Sequence, residues 1–187
     1  MDKRKKILLG VTGSIAAFKA AALTSALVKQ GNPVKVVMTR EAAYFVTPLT
    51  FQTLSGNTVC QEMFAPLENP VGQTRLRWEI EHISLAEWPD IIMVCPATAN
   101  IISKAAAGLA DDLLSAVILA TRKPVVFVPA MNAGMWQNKI LRKKVAELKA
   151  AGYRFIGPAK GRLACGEEGE GRMVEVEEVM KEINRSM

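Results

Sequence analysis

One histidine, one asparagine at the end of an apolar run and three scattered cysteines are the residues of this chain best fitted for chemistry. His82 lies in His82-Ile83-Ser84-Leu85-Ala86-Glu87-Trp88-Pro89-Asp90, just ahead of an apolar run. A lone histidine is more often structural than catalytic. Yet imidazole, with an ordinary pKa of ~6.5, is the one side chain naturally suited to proton transfer near neutral pH. Asn132 stands in Pro129-Ala130-Met131-Asn132-Ala133-Gly134-Met135-Trp136, where it offers a neutral amide. The plainer alternative is a polar turn with Met135 and Trp136 in the core. Cys165 sits in the segment from Gly161 to Met173, where Gly166, Gly169 and Gly171 read as hinges of a mobile lid. Buried, inert cysteine is the usual case, but a lid is a poor place to bury one.

Composition removes several function classes. Three cysteines without a CxxC motif argue against a disulfide framework or zinc ribbon and for a reducing compartment. A single histidine excludes a His-rich metal site, and no metal is expected. The 24 basic and 18 acidic residues leave a charge of +6, which suits anionic small ligands as well as nucleic acid. Aromatics at 6% are too few for a stacking platform, and the basic residues are scattered apart from positions 3–6, so no nucleic acid is expected. The apolar run after Lys6 stops at Thr12-Gly13-Ser14, too early for a signal peptide. The stretch 113–120 falls far short of the ~20 residues that span a bilayer. The expected location is cytoplasmic, with no membrane partner.

Candidate strands at 6–11, 34–39, 91–95, 125–129 and 154–157 are apolar almost throughout, as strands covered on both faces are. Helical patterns alternate with them. Ser14 is expected to cap a helix running to Gln30, with Gly31 as its stop. Thr98 caps another through Ala107, and Asp111 or Asp112 a third through Ala120. Residues 138–151 and 175–184 complete the set. This alternation predicts one α/β domain over residues 1–187, a doubly wound parallel sheet with helices on both faces. Residues 64–78, with Pro66, Pro70 and Gly72, form the one long irregular stretch, functional or disordered.

Ligands of such sheets bind at the carboxyl ends of the strands. Those ends read Thr12-Gly13-Ser14-Ile15, Thr39-Arg40, Pro96-Ala97-Thr98-Ala99-Asn100 and Pro129-Ala130-Met131-Asn132. Small residues, hydroxyls and helix N-termini at one edge make a phosphate site. The first turn has neither GxGxxG nor a P-loop lysine, and the second strand ends without an acidic residue for a ribose. A dinucleotide is therefore disfavoured, and a mononucleotide such as FMN fits better.

Gly13-Ser14-Ile15-Ala16-Ala17, the segment from His82 to Trp88, residues 96–100, residues 129–136 and residues 162–173 together resemble the flavin-containing cysteine decarboxylases. The resemblance covers about residues 6 to 175. It implies a Rossmann-like or flavodoxin-like fold and FMN as cofactor. The activity implied is oxidation of a substrate thiol, loss of CO₂ and re-reduction of the resulting enethiol. The lid segment from Ala164 to Met173 narrows the implied substrate to phosphopantothenoylcysteine, decarboxylated to phosphopantetheine in coenzyme A biosynthesis. Pro89 replaces an alanine more usual in the family, without consequence for the site.

By the resemblance, FMN contacts fall on Gly13, Ser14, Ile15, Thr39, Phe45, Thr98, Ala99, Asn100, Ile101 and Ala130. Asn132, Met135, Arg162, Leu163 and Ala164 would border the substrate. His82, Asn132 and Cys165 are the expected catalytic residues. His82 would activate the thiol, Asn132 bind the carboxylate without neutralising it, and Cys165 supply a proton in the reductive half. The family also implies homotrimers, often stacked to dodecamers, with sites between neighbouring subunits. Many relatives are fused to a phosphopantothenate–cysteine ligase, so this chain is either stand-alone or one half of such a fusion. Two rivals remain: a decarboxylase of peptide C-terminal cysteine, and a non-catalytic FMN-binding regulator.

Overall fold

A computed structural model describes residues 4–63, 81–164 and 166–185; the stretch 64–78 and Cys165 lie outside the described residues. Five parallel strands, β1 (Ile7–Val11), β2 (Val34–Met38), β3 (Ile91–Ala97), β4 (Val125–Pro129) and β5 (Arg154–Phe155), form one sheet in the order β2-β1-β3-β4-β5. The order reverses direction between β1 and β3, and that switch point opens a crevice at the strands' carboxyl ends.

Eight helices are described: α1 (Ala17–Lys29), α2 (Pro48–Ser55), α3 (Glu81–Glu87), α4 (Ala99–Ala107), α5 (Leu113–Ala120), α6 (Ala133–Gln137), α7 (Lys139–Ala150) and α8 (Val176–Arg185). Successive side chains of β1 serve two cores. Ile7, Leu9 and Val11 pack with Leu23 and Leu27 of α1, Phe51 of α2 and Ile183 of α8. Leu8 packs on the other face with Ile102 of α4, Val117 of α5 and Val145 of α7. Gly10 takes the remaining place because a Cβ there would sit 2.5 Å from Leu114 Cδ1. The absent side chain lets α5 lie directly on β1.

Local signals set most helix ends. Thr98 accepts a hydrogen bond from the Ile101 N–H at 3.5 Å, and Asp112 shares a capping box with Ser115. Ser14 does not cap α1. The helix starts at Ala17 without a side-chain cap, and Ser14 Oγ instead accepts from the Ala16 N–H at 3.2 Å. This turn keeps residues 13–16 at the crevice rather than inside the helix.

The last strands depart further from expectation. The expected strand at 154–157 shortens to two residues, and the glycine-rich lid is an antiparallel hairpin, β6 (Ala159–Arg162) with β7 (Glu168–Arg172). No described helix is long and apolar enough to cross a membrane.

Across the crevice one buried hydroxyl joins two strand ends. Thr12 Oγ1 donates to the Pro96 carbonyl at 2.7 Å and accepts from the Thr98 N–H at 3.1 Å. Thr12→Val keeps the shape but leaves both backbone groups unpaired in a site where Thr12 is 2% exposed. We expect a loss of about 1–3 kcal/mol, read as a lower denaturant midpoint at unchanged slope. An unchanged midpoint would show the clamp to be dispensable.

Candidate active site

The strand ends wall two contiguous cavities. The smaller, about 280 Å³, is lined by Gly13, Ser14, Thr39, Thr98, Ala99, Asn100, Ile101, Ala130 and Met135, all singled out from sequence, and by Thr12, Glu41, Asp112 and Met131. The larger, about 700 Å³, takes in Ile15, Asn132, Arg162, Leu163 and Ala164 together with Lys19 and Glu175. Ser14, Ala130 and Met131 line both.

Thr39 Oγ1 is buried beside the smaller cavity with no hydrogen-bond partner among the described residues. Burying a hydroxyl without a partner is costly, so such an atom marks where a ligand would complete the structure. Next to it, α4 presents its N-terminus, whose first N–H groups and dipole favour an anion. Gly13 lies so close to Glu41 that a Cβ would sit 2.5 Å from the Glu41 Cβ. Backbone, hydroxyls and helix dipole therefore form the cradle, as a phosphate-bearing ring cofactor requires.

A carboxylate in such a cradle would repel a phosphate, and at Asp112 a lysine moderates that conflict. Lys104 Nζ lies 2.6 Å from Asp112 Oδ2 and 2.7 Å from Asp111 Oδ1. Burial alone would raise the Asp112 carboxyl, but hydrogen bonds from Lys104 and Ser115 outweigh it and hold the group below its usual range. Burial likewise opposes the charge on Lys104, and the hydrogen bonds to Asp111 and Asp112 override it, raising its pKa. Both groups stay ionised, and Lys104, shared between Asp111 and Asp112, offsets the Asp112 charge in part. Among the described residues no cluster of histidine, cysteine and acidic side chains could hold a metal.

Asn132 Oδ1 accepts from the Gly134 N–H at 2.7 Å and caps α6. Its oxygen thus serves the cap, and the amide nitrogen carries the side chain's donors. Trp136 is buried, whereas Met135 is half exposed and lines the smaller cavity rather than the core.

The hairpin is docked on this turn. The Met131 N–H donates to the Gly171 carbonyl at 2.9 Å. A Cβ on Gly171 would collide with the Met131 carbonyl oxygen, and one on Gly169 would come within 2.6 Å of the Ala133 Cβ. These glycines are close-approach positions and not hinges. Only Gly166, at a positive φ of 90° in open space, has the character of a loop tip.

Two expected residues stand apart. Phe45 is exposed beyond the Ala42–Tyr44 turn and lines neither cavity. His82 stands near the start of α3, partly buried, and also lines neither cavity of its own chain. Cys165 is outside the described residues, although its neighbour Ala164 lines the larger cavity. Sequence reading missed Lys19, Glu41, Asp112 and Glu175 as wall residues. Asp112 could have been found from its capping position; the others carried no local signal.

A family model described as Flavoprotein matches residues 1–187. The coenzyme A biosynthesis bifunctional protein CoaBC of Bacillus subtilis is 45% identical over 181 residues, 97% of this chain and 43% of that protein. The chain thus spans less than half the length of this curated relative. Among solved structures, a cysteine-to-serine mutant of PPC decarboxylase complexed with pantothenoylaminoethenethiol aligns with a TM-score of 0.81 and 28% identity, covering 98% of both chains. The FMN-dependent cysteine decarboxylase SpaF aligns with a TM-score of 0.76 and 27% identity over 96% of this chain and 93% of its own.

Gly171→Ala should lift the hairpin from the Met131–Ala133 backbone, at about 1–3 kcal/mol of strain. Limited proteolysis near residues 163–167 should accelerate. Gly161→Ala, whose Cβ would lie 3.4 Å from Arg172 Nε, should not have this effect. Equal cleavage in both variants would refute the close-packing account.

Proposed function

The chain belongs to the flavoprotein family over its whole length, and from that premise we propose that it is an FMN-dependent phosphopantothenoylcysteine decarboxylase. The observation that carries this reading is the paired cavity, with an orphaned Thr39 hydroxyl on one side and the Asn132 amide on the other. PPC decarboxylase and SpaF, named above, have the same fold, and a cysteine decarboxylase needs both compartments.

Thr39, Ser14, the backbone of residues 98–100 and the walls at Gly13, Ile101 and Ala130 would hold the cofactor. Bound flavin supplies a two-electron acceptor and donor for the substrate thiol. The protein's own groups bind, orient and move protons. Asn132 binds the leaving carboxylate through amide N–H donors. A neutral donor is the right choice, because a cation would stabilise the ground-state carboxylate and raise the barrier to its departure. Ala164, Leu163 and the docked hairpin shield the larger cavity, and Cys165, next to Ala164 in sequence, is the proton donor for the reductive half.

His82 is the thiol base, and we assign it to a neighbouring subunit's site. Ile15 and Phe18, which line the larger cavity, are more than half exposed, as is Tyr44. Apolar side chains so gathered at one edge favour self-association. A homotrimer, alone or stacked as a dodecamer, brings α3 of one copy to the cavity of the next. The substrate comes from a phosphopantothenate–cysteine ligase, and the word bifunctional in the relative's name fits a fusion of the two activities. Cysteine usage without a CxxC motif supports a reducing, cytoplasmic setting for the reaction.

The direct test is release of CO₂ from phosphopantothenoylcysteine by the flavin-loaded protein, with a peptide ending in cysteine as comparison. Turnover of the peptide alone would replace the substrate assignment. No turnover of either, with flavin bound, would favour a regulator.

Thr39→Val is expected to leave the flavin-free protein at least as stable as before, since its buried hydroxyl has no partner to lose among the described residues. Flavin dissociation should become roughly three- to tenfold more favourable, measured by fluorescence titration. Equal affinity would remove Thr39 from the cradle.

Asn132→Asp keeps the helix cap but replaces donors with a charge that repels the substrate carboxylate by about 1 kcal/mol in water and more as water is excluded. Activity should fall at least tenfold, and His82→Asn should stop CO₂ release with flavin still bound. Mixed trimers of the two inactive variants should regain activity, because some sites then combine an intact His82 with an intact Asn132. Mixtures as inactive as their parents would place His82 in its own chain's site or outside catalysis.

A further inference from the structure

The larger cavity carries a charge arrangement that the decarboxylation chemistry leaves unused. Lys19, on α1, donates from Nζ to Glu175 Oε2 at 2.9 Å and to the Met173 carbonyl at 3.3 Å. Arg172, at the end of β7, donates from Nη2 to the other oxygen of the same carboxylate, Glu175 Oε1, at 2.9 Å. One carboxylate is thus forked between two cations from distant parts of the chain. All three line the cavity that also contains Asn132, and Arg162 lines it as a further cation. Among the described residues no other charged side chain does, so these walls carry three positive groups and one negative.

The substrate proposed above is anionic at both ends. Its carboxylate must leave and is served by a neutral amide. Its phosphate does not react and can be held by full charges without slowing the chemistry. A phosphomonoester carries nearly two charges at neutral pH and three acceptor oxygens, more than a carboxylate can offer two cations.

Building on the decarboxylase reading, we infer that Lys19 and Arg172 form the subsite for the substrate's terminal phosphate, which displaces Glu175 from them on binding. Glu175 serves as a stand-in anion that keeps the two cations in place while the cavity is empty. Lys19 side-chain exposure is 15% against 52% for Glu175, so the cation is fixed and the carboxylate is free to swing outward. The hydrogen bond from Lys19 holds the Glu175 carboxyl below its usual range, with the charges of Lys19 and Arg172 adding to the effect. Protonation therefore does not open the fork near neutral pH; a competing anion must. Free carboxylic acids of similar size would compete poorly, and phosphate-bearing conjugates would be selected over phosphate-free ones.

The experiment uses the flavin-loaded full chain. Calorimetric titration compares phosphopantothenate with pantothenate, neither of which has a thiol to react. Turnover compares phosphopantothenoylcysteine with pantothenoylcysteine. Wild type should prefer the phosphorylated member of each pair. Lys19→Gln and Arg172→Gln should each cut the preference, expressed as a ratio of affinities or of kcat/KM, by about tenfold, the loss expected for one charge-assisted contact. Glu175→Gln should raise it several-fold, because the competitor is gone. This last variant alters a half-exposed side chain and keeps the test open if Lys19→Gln folds poorly.

A preference unchanged in all the variants overturns the subsite, as does Glu175→Gln lowering the preference like the cation variants. Wild type that turns over both conjugates equally and binds phosphopantothenate no better than pantothenate overturns the subsite and leaves the decarboxylase reading standing. Wild type that turns over neither conjugate overturns that reading, and the assignment built on it.

Discussion

The Thr12 hydroxyl is the constraint on which the site rests. Parallel strands end with unpaired backbone groups, and at a switch point two neighbouring ends must turn away from each other without filling the gap. Thr12 Oγ1 settles this by donating to one group at the end of β3 and accepting from another. Both bonds lie inside the fold, where an unmade hydrogen bond costs far more than a made one gains. With β1 and β3 joined there, the turn at residues 13–16 and the N-terminus of α4 have fixed positions on either side of the crevice. The Ala130 N–H bond to the Ala97 carbonyl, 3.0 Å, extends the same logic to the end of β4.

The strands of the sheet were legible because they are apolar on both faces, and their periodicity needs no partner to be recognised. Those of the hairpin were not. Ala159–Arg162 and Glu168–Arg172 alternate glycine with charge and bury almost nothing of their own. Their position depends on what Gly169 and Gly171 lack, a Cβ that would strike the turn after β4, and that turn is distant in sequence. A glycine used for close approach and a glycine used as a hinge look the same in a sequence. The helix α2 was equally silent, since Phe51 is its one fully buried side chain and no amphipathic stripe accompanies it.

The site divides along the same line. Small and hydroxyl-bearing residues at strand ends could be read because fold class alone places them at one edge. Capping residues could be read because their partners lie within three positions, as Thr98 and Asp112 demonstrate. Ion pairs between distant elements could not: Lys19 meets Glu175 only after the whole sheet is assembled. His82 illustrates a further limit. Its chemistry singled it out, yet its own chain holds it away from both cavities.

The two cavities also handle charge by opposite means, and their functions explain why. In the cofactor cradle, Lys104 offsets the acidic side chain of Asp112 in part, and hydroxyls, amides and a helix dipole supply the donors. A tightly retained ligand is well served by such fixed dipoles, which need no rearrangement when it binds. In the larger cavity full charges remain, and the Glu175 fork keeps them paired while the cavity is empty. Leaving Lys19 and Arg172 unpaired would set like charges side by side at the mouth of the site. Pairing them too well would exclude the anion proposed to bind there. A half-exposed carboxylate shared between two donors lies between these extremes, because solvent screens it and each bond is weak. On the proposed reading the reacting carboxylate needs neither arrangement: at Asn132 a neutral donor would orient it and leave its electrons available to depart.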